Sequence, residues 1–181
     1  MHVFPKRYAD AVARLRVSSG FLLVGVFAWF SRPSAESLEL GVPVAVLGLG
    51  LRAWAAGCLA KNQQLASGGP YAYTRNPLYL GTLLVAAGLV IASRSIGLGL
   101  LFAAVFGLVY LPVIQLEEQH LRSLFPAYAE YARHVPALWP RWSGASGSGA
   151  FRWALYVKNQ EYQAGVGFVA GVAFLIWKML R

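Results

Sequence analysis

The stretch Ser95–Leu116, SIGLGLLFAAVFGLVYLPVIQL, contains no charged residue. A helix needs roughly 20 apolar residues to cross the hydrocarbon core of a bilayer, so this run reads as a membrane span. The whole chain agrees. Of its 181 residues 57% are hydrophobic and only 13% charged, whereas a soluble domain carries about 25% charged residues. The expected fold class is all-α: a polytopic integral membrane helix bundle of about five transmembrane helices.

Working outward, four further spans emerge. Val17–Phe30 follows the basic residues Lys6, Arg7, Arg14 and Arg16. Leu38–Ala60 is interrupted by Arg52, which either snorkels to the surface or meets a substrate. The third span is Pro77–Ala92, with a proline suited to a first helical turn. The last, Tyr162–Leu180, carries Gly167 and Gly171 in a small-xxx-small spacing. The basic start followed by SRPSA imitates a signal peptide, but the other spans need a first helix to close the bundle. A single membrane domain over 1–181 is expected. Its core covers about 38–142, a Gly/Ser-rich flexible link 143–150, and the last helix about 161–180.

Net charge is +9, and the basic residues lie between apolar spans. Anionic membrane lipids are therefore the expected electrostatic partner, and no nucleic acid. The short-loop bias puts the N-terminus, Lys61, Arg75 and the segment Arg122–Lys158 in the cytoplasm of a bacterium, across its inner (plasma) membrane. Arg32, Arg94, Lys178 and Arg181 fall on the other side. The lone Cys58 forms no internal disulfide. The three histidines lack ligand spacing, so no metal site is expected, and no Walker, GxSxG or Rossmann fingerprint is present. Trp139, Trp142 and Trp153 suit an interfacial belt.

Two polar segments remain. GGPYAYTRNPLYLG, Gly68–Gly81, offers the flat faces of Tyr71, Tyr73 and Tyr79 and the donor fork of Arg75. An interfacial aromatic belt is the plainer reading of the same tyrosines. EEQHLRSLFPAYAEYARHVP begins at Glu117 and reads as a helix leaving the fourth span, then a second short helix over AYAEYARH. Val113, Glu117, His120, Leu121 and Leu124 share one face at three- and four-residue spacing, whereas Glu118 lies about 100° away beside Arg122. Glu117 is thus expected inward, satisfied by Arg75 or by a cationic ligand, and Glu118 at the surface.

LASGGPYAYTRNPLYLG, followed one hydrophobic hairpin later by EEQHLRSLFPAYAEYARHVP, resembles the isoprenylcysteine carboxyl methyltransferases and related phospholipid methyltransferases over about Arg52–Pro140. The resemblance implies an integral-membrane enzyme with a cytoplasmic S-adenosylmethionine pocket. It implies that Gln63, Gln64, Leu65, Ala66, Tyr71, Asn76, Pro77, Leu78 and Tyr79 bind the cofactor, with Glu117 at its charged portion. Glu117 and Arg75 are the candidate catalytic residues. A lipophilic or amphiphilic small molecule with a carboxyl, thiol or amine acceptor is the implied substrate. Two positions depart from the prenylcysteine enzymes: Asn76 replaces a histidine, and Val113 stands where they carry an arginine for the substrate carboxylate. A valine cannot bind a carboxylate, which turns the substrate expectation away from prenylcysteine. A sterol-reductase-like NADPH-dependent oxidoreductase and a non-enzymatic membrane scaffold are the competing readings.

Overall fold

The computed structural model describes residues 4–141 and 149–181, apart from the side chains of residues 15–19. The side chain of Arg16, Trp142 and most of the expected link fall outside the described residues. Among these every regular element is helical. Helix α1 spans Lys6–Phe30 and α2 spans Ala35–Cys58. Ahead of α2, Ser34 and Ser37 exchange hydrogen bonds, Ser34 N donating to Ser37 Oγ at 2.9 Å and Ser37 N to Ser34 Oγ at 3.3 Å. These two bonds satisfy amides at a helix start that have no partner inside the helix. A short 3-10 turn, Gly69–Ala72, leads to α3, Pro77–Ser93, with Pro77 at its first position. Helix α4, Ile96–Val105, is capped by Ser95, whose hydroxyl accepts from Leu98 N at 3.4 Å. A π turn at Phe106–Tyr110 joins it to α5, Leu111–Leu124. Then follow α6, Tyr128–His134, α7, Trp153–Lys158, and α8, Tyr162–Met179.

Among the described residues, three helical stretches are long and apolar enough to cross a membrane: Ala35–Cys58, Ile96–Leu124 and Tyr162–Met179. Gly20–Phe30 and Pro77–Ser93 are shorter apolar helices. These five positions are the five spans expected from sequence, with ends displaced by a few residues. The all-α reading holds among the described residues.

Packing divides the chain into two compact units. The first comprises Met1–Ala45, Ala86–Gln119 and Ala170–Arg181. Here Lys178 Nζ, near the end of α8, donates to Ala28 O at 2.6 Å and Trp29 O at 3.0 Å. These are carbonyls that the end of α1 leaves open, and a cation at a helix C-terminus is also favoured by the dipole. The π turn has a similar local cause. Pro112 offers no N–H to the carbonyl of Leu108 four residues back, and its ring crowds that turn. The helix widens there, and Tyr8 Oη donates to Leu108 O at 2.7 Å.

The second unit comprises Val46–Val85 and His120–Val169. Its part of the α2–α3 pair packs backbone to backbone. A Cβ placed on Gly48 would stand 2.7 Å from Gly81 O and Val85 N, so no larger residue fits without separating the helices. The candidate site is built in this unit.

Candidate functional site

Past Cys58 the chain leaves α2 through two tight reversals. Asn62 and Gly69 both take positive φ, 59° and 58°, a region costly for most side chains and free for glycine. At Gly69 space is short as well. A Cβ there would lie 3.0 Å from Cys58 Sγ and 3.3 Å from Gly149 O. Gly149 is tighter still: its Cβ would meet Gly68 C at 2.5 Å and Gly69 N at 2.6 Å. The Gly-Gly-Pro framing is thus a backbone crossing, with Gly149 seated directly on Gly68–Gly69. The Cys58 thiol donates to Gly149 O at 3.4 Å across the same junction.

Beyond the crossing, residues 71–76 form a brace with the chain that follows α6. Arg75 N donates to Pro136 O at 2.9 Å, and Arg75 Nη1 to Ala132 O at 2.9 Å and Val135 O at 2.8 Å. The guanidinium therefore caps the carbonyl end of α6. Asn76 Nδ2 and Thr74 Oγ1 both reach Ala137 O, at 2.9 and 3.2 Å. Tyr131 Oη donates to Tyr71 O at 2.7 Å, and Arg141 N to Tyr73 O at 3.0 Å. Tyr71, Thr74, Asn76 and Pro77 are buried in this knot. These contacts of Arg75 anchor the loop.

A cavity of about 340 Å³ opens on the other side of the crossing. It is lined by Gln64, Leu65, Ala66, Ser67 and Gly68 of one segment, by Cys58 and Ala60 ahead of them, and by Gly149, Ala150 and Arg152 of a later segment. That volume lies within the roughly 300–1,000 Å³ of small-molecule sites. Three of the expected cofactor residues, Gln64, Leu65 and Ala66, line it. Gln63 is exposed beside them. Tyr71, Asn76 and Pro77 belong to the brace, and Leu78 and Tyr79 lie half-buried on the first turn of α3.

Seven cavity residues, Cys58, Ala60, Ser67, Gly68, Gly149, Ala150 and Arg152, lie outside the expected cofactor set. The last three sit at the end of a Gly/Ser-rich run that reads as a plain link. Nothing local in that run signals a partner 80 residues away in the chain. The wall is nevertheless held firmly. Arg152 N donates to Gly57 O at 2.9 Å, and Asn159 Nδ2 to Ala56 O and Leu59 O, both at 2.9 Å. The segment thereby satisfies the carbonyl end of α2.

Arg52 has a definite partner. Its Nε and Nη2 engage both carboxylate oxygens of Glu161 at 2.6 and 3.0 Å. Nη1 adds Thr82 Oγ1 and, at 3.4 Å, Leu78 O. The side chains are 23% and 9% exposed. This bidentate pairing suits a guanidinium in low-dielectric surroundings. The ion pair ties the first residues around α8 to the α2–α3 hairpin of this unit, a partner that neither expectation for Arg52, snorkelling or a substrate contact, included.

The two glutamates of α5 belong to the first unit, and their burial corrects the face reading. Glu117, His120 and Leu124 are exposed, whereas Ile114 is buried and Glu118, Leu121 and Phe125 are half-buried. Within α5 the more buried stripe is therefore Ile114–Glu118–Leu121, one residue round from the expected one. The ambiguity is physical: Val113 and Ile114 are both apolar and both buried, so the pattern supports either stripe.

The sequence model of the phospholipid methyltransferase family matches residues 15–128. Two similar proteins are the cobalt-zinc-cadmium resistance protein CzcN of Cupriavidus metallidurans and the nickel-cobalt-cadmium resistance protein NccN of Alcaligenes xylosoxydans xylosoxydans. The first is 38% identical over 122 residues, which is 66% of this chain and 54% of that protein. The second is 36% identical over 152 residues, 82% of this chain and 65% of that protein. The chain thus spans less than two thirds of either relative's length. No solved structure matches it. The family match takes in Gly68–Gly69, the Arg75-Asn76-Pro77 run and the Glu117–Glu118 helix of one apolar chain: the chain belongs to the phospholipid methyltransferase family.

Proposed function

We propose that the chain is an integral-membrane methyltransferase that takes S-adenosylmethionine from the cytoplasmic side and methylates a lipophilic or amphiphilic small molecule. The observation that carries this reading is the cavity beside the glycine crossing. Its wall is the Gln64–Ala66 segment in which the family resemblance expects the cofactor. The fit is chemical as well as spatial. Gln64 and Ser67 supply hydrogen-bonding groups for a nucleoside, Leu65 and Ala66 an apolar surface, and Arg152 a cation. When bound, S-adenosylmethionine supplies a methyl group activated by its sulfonium charge.

The protein's own task is placement. In-line transfer needs reacting atoms about 3–3.5 Å apart with water excluded. The brace fixes the loop behind the cavity wall by bonds to backbone carbonyls, a rigid support for such positioning. Glu117 is the proposed carboxylate for the cofactor's positive portion. That role rests on the family resemblance, and half-buried Glu118 is proposed to orient the helix. Glu117→Ala should weaken S-adenosylhomocysteine binding at least ten-fold and Glu118→Ala less than three-fold. Equal effects would reject the division of roles.

The names of the two relatives connect those proteins with resistance to metal ions. Among the described residues of this chain no three His, Cys, Asp or Glu side chains come together as a ligand set. We therefore place any part in metal tolerance downstream of a methylated membrane amphiphile. Incubating membranes that contain the protein with methyl-labelled S-adenosylmethionine, then extracting lipids, tests the reading. Protein-dependent label in the organic phase is expected. Label absent from every extract, with active donor present, would contradict it.

A further inference from the structure

The cavity carries a charge that the family match does not cover. Among the described residues lining it, Arg152 is the only charged one, and it lies beyond the matched residues 15–128. Resting on the methyltransferase reading, we infer that Arg152 is a specificity residue that holds the free α-carboxylate of the cofactor's amino-acid end.

Three features support this. The contacts that hold the Arg152 segment do not use its guanidinium: its own amide donates to Gly57 O at 2.9 Å, and the Asn159 side-chain amide donates to Ala56 O and Leu59 O farther along. The carbonyl end of α2 is therefore capped without the guanidinium, which stays exposed at the cavity wall. Next, the other described residues that line the cavity, Gln64 to Gly68 among them, include no carboxylate to neutralise it. A cation so placed selects an oxyanion, and a guanidinium fork matches a carboxylate in two-point geometry. Last, Arg75, the donor fork of the Gly68–Gly81 segment, is engaged elsewhere: its Nη1 bonds Ala132 O and Val135 O at the end of α6. A carboxylate anchored at Arg152 would leave the nucleoside for the Gln64–Ser67 wall.

The test compares S-adenosylhomocysteine with 5′-methylthioadenosine, which keeps the nucleoside and sulfur but lacks the amino-acid end. Both are titrated calorimetrically into the wild-type protein, Arg152→Ala and Arg152→Lys in nanodiscs. Wild type should prefer S-adenosylhomocysteine by about 10- to 100-fold, the size of a charge-assisted contact. Arg152→Ala should erase that preference while leaving methylthioadenosine affinity within about two-fold, and Arg152→Lys should restore part of it. Equal weakening of both ligands, or of neither, overturns the assignment. An unchanged preference, together with lost selectivity for phosphatidylglycerol over phosphatidylcholine nanodiscs, moves the oxyanion to an acceptor headgroup and likewise overturns it. Wild-type protein that binds neither nucleoside sinks the methyltransferase reading itself, and the inference with it.

Discussion

The brace and the cavity are built from one short stretch of chain, yet they use it in opposite ways. In the brace, Thr74, Arg75 and Asn76 reach backbone carbonyls at the end of α6 and just after it, Tyr71 O accepts from Tyr131 Oη, and most of these residues are buried. In the cavity, Gln64, Ser67 and Arg152 remain exposed around open space. The division falls at Gly68–Gly69, where Gly149 crosses. Side chains that look most chemical in the sequence do the structural fastening, and plainer neighbours border the space.

That contrast can be broken most forcefully at the crossing. Gly149→Val would push a branched side chain into Gly68 and Gly69 backbone atoms at 2.5–2.6 Å. Overpacking of this kind costs about 3 kcal/mol, read as a lowered thermal midpoint in detergent. Ligand affinity should fall with it, because the cavity wall moves. A wild-type melting curve would mean that Gly149 does not sit where described.

Arg75→Ala separates the two regions. It removes two charge-assisted bonds to the end of α6 and should cost about 2 kcal/mol of stability. Nucleoside affinity of the molecules still folded should change little. The opposite split, unchanged stability with binding lost, would make Arg75 a ligand residue rather than a brace. Tyr131→Phe is the milder form: loss of the bond to Tyr71 O should cost about 1 kcal/mol without a change in affinity. Gln64→Ala should show the reverse signature. Its exposed side chain carries stability changes within about 0.5 kcal/mol, whereas nucleoside affinity should drop roughly 2- to 10-fold.

The sequence made the helices legible because apolar runs near 20 residues leave few alternatives in length or charge. It also announced both polar segments. The π turn was less visible, since it follows from Pro112 meeting a hydroxyl from Tyr8, 100 residues earlier in the chain. The partner of Arg52 was hidden in the same way, as Glu161 lies 109 residues on. The glutamate face failed for a different reason: two adjacent apolar residues before the pair fit either stripe. Arg152 and Gly149 stood in a run whose composition suggests only a spacer, and backbone-to-backbone contact leaves no compositional mark beyond the glycine itself.

The central claim is that this membrane chain binds an S-adenosyl nucleoside. Calorimetric titration of the purified, nanodisc-embedded protein with S-adenosylhomocysteine and, in parallel, NADPH addresses it most directly. Saturable one-site heat with S-adenosylhomocysteine and none with NADPH is the predicted result. Heat with NADPH alone, or with neither compound, would contradict the account.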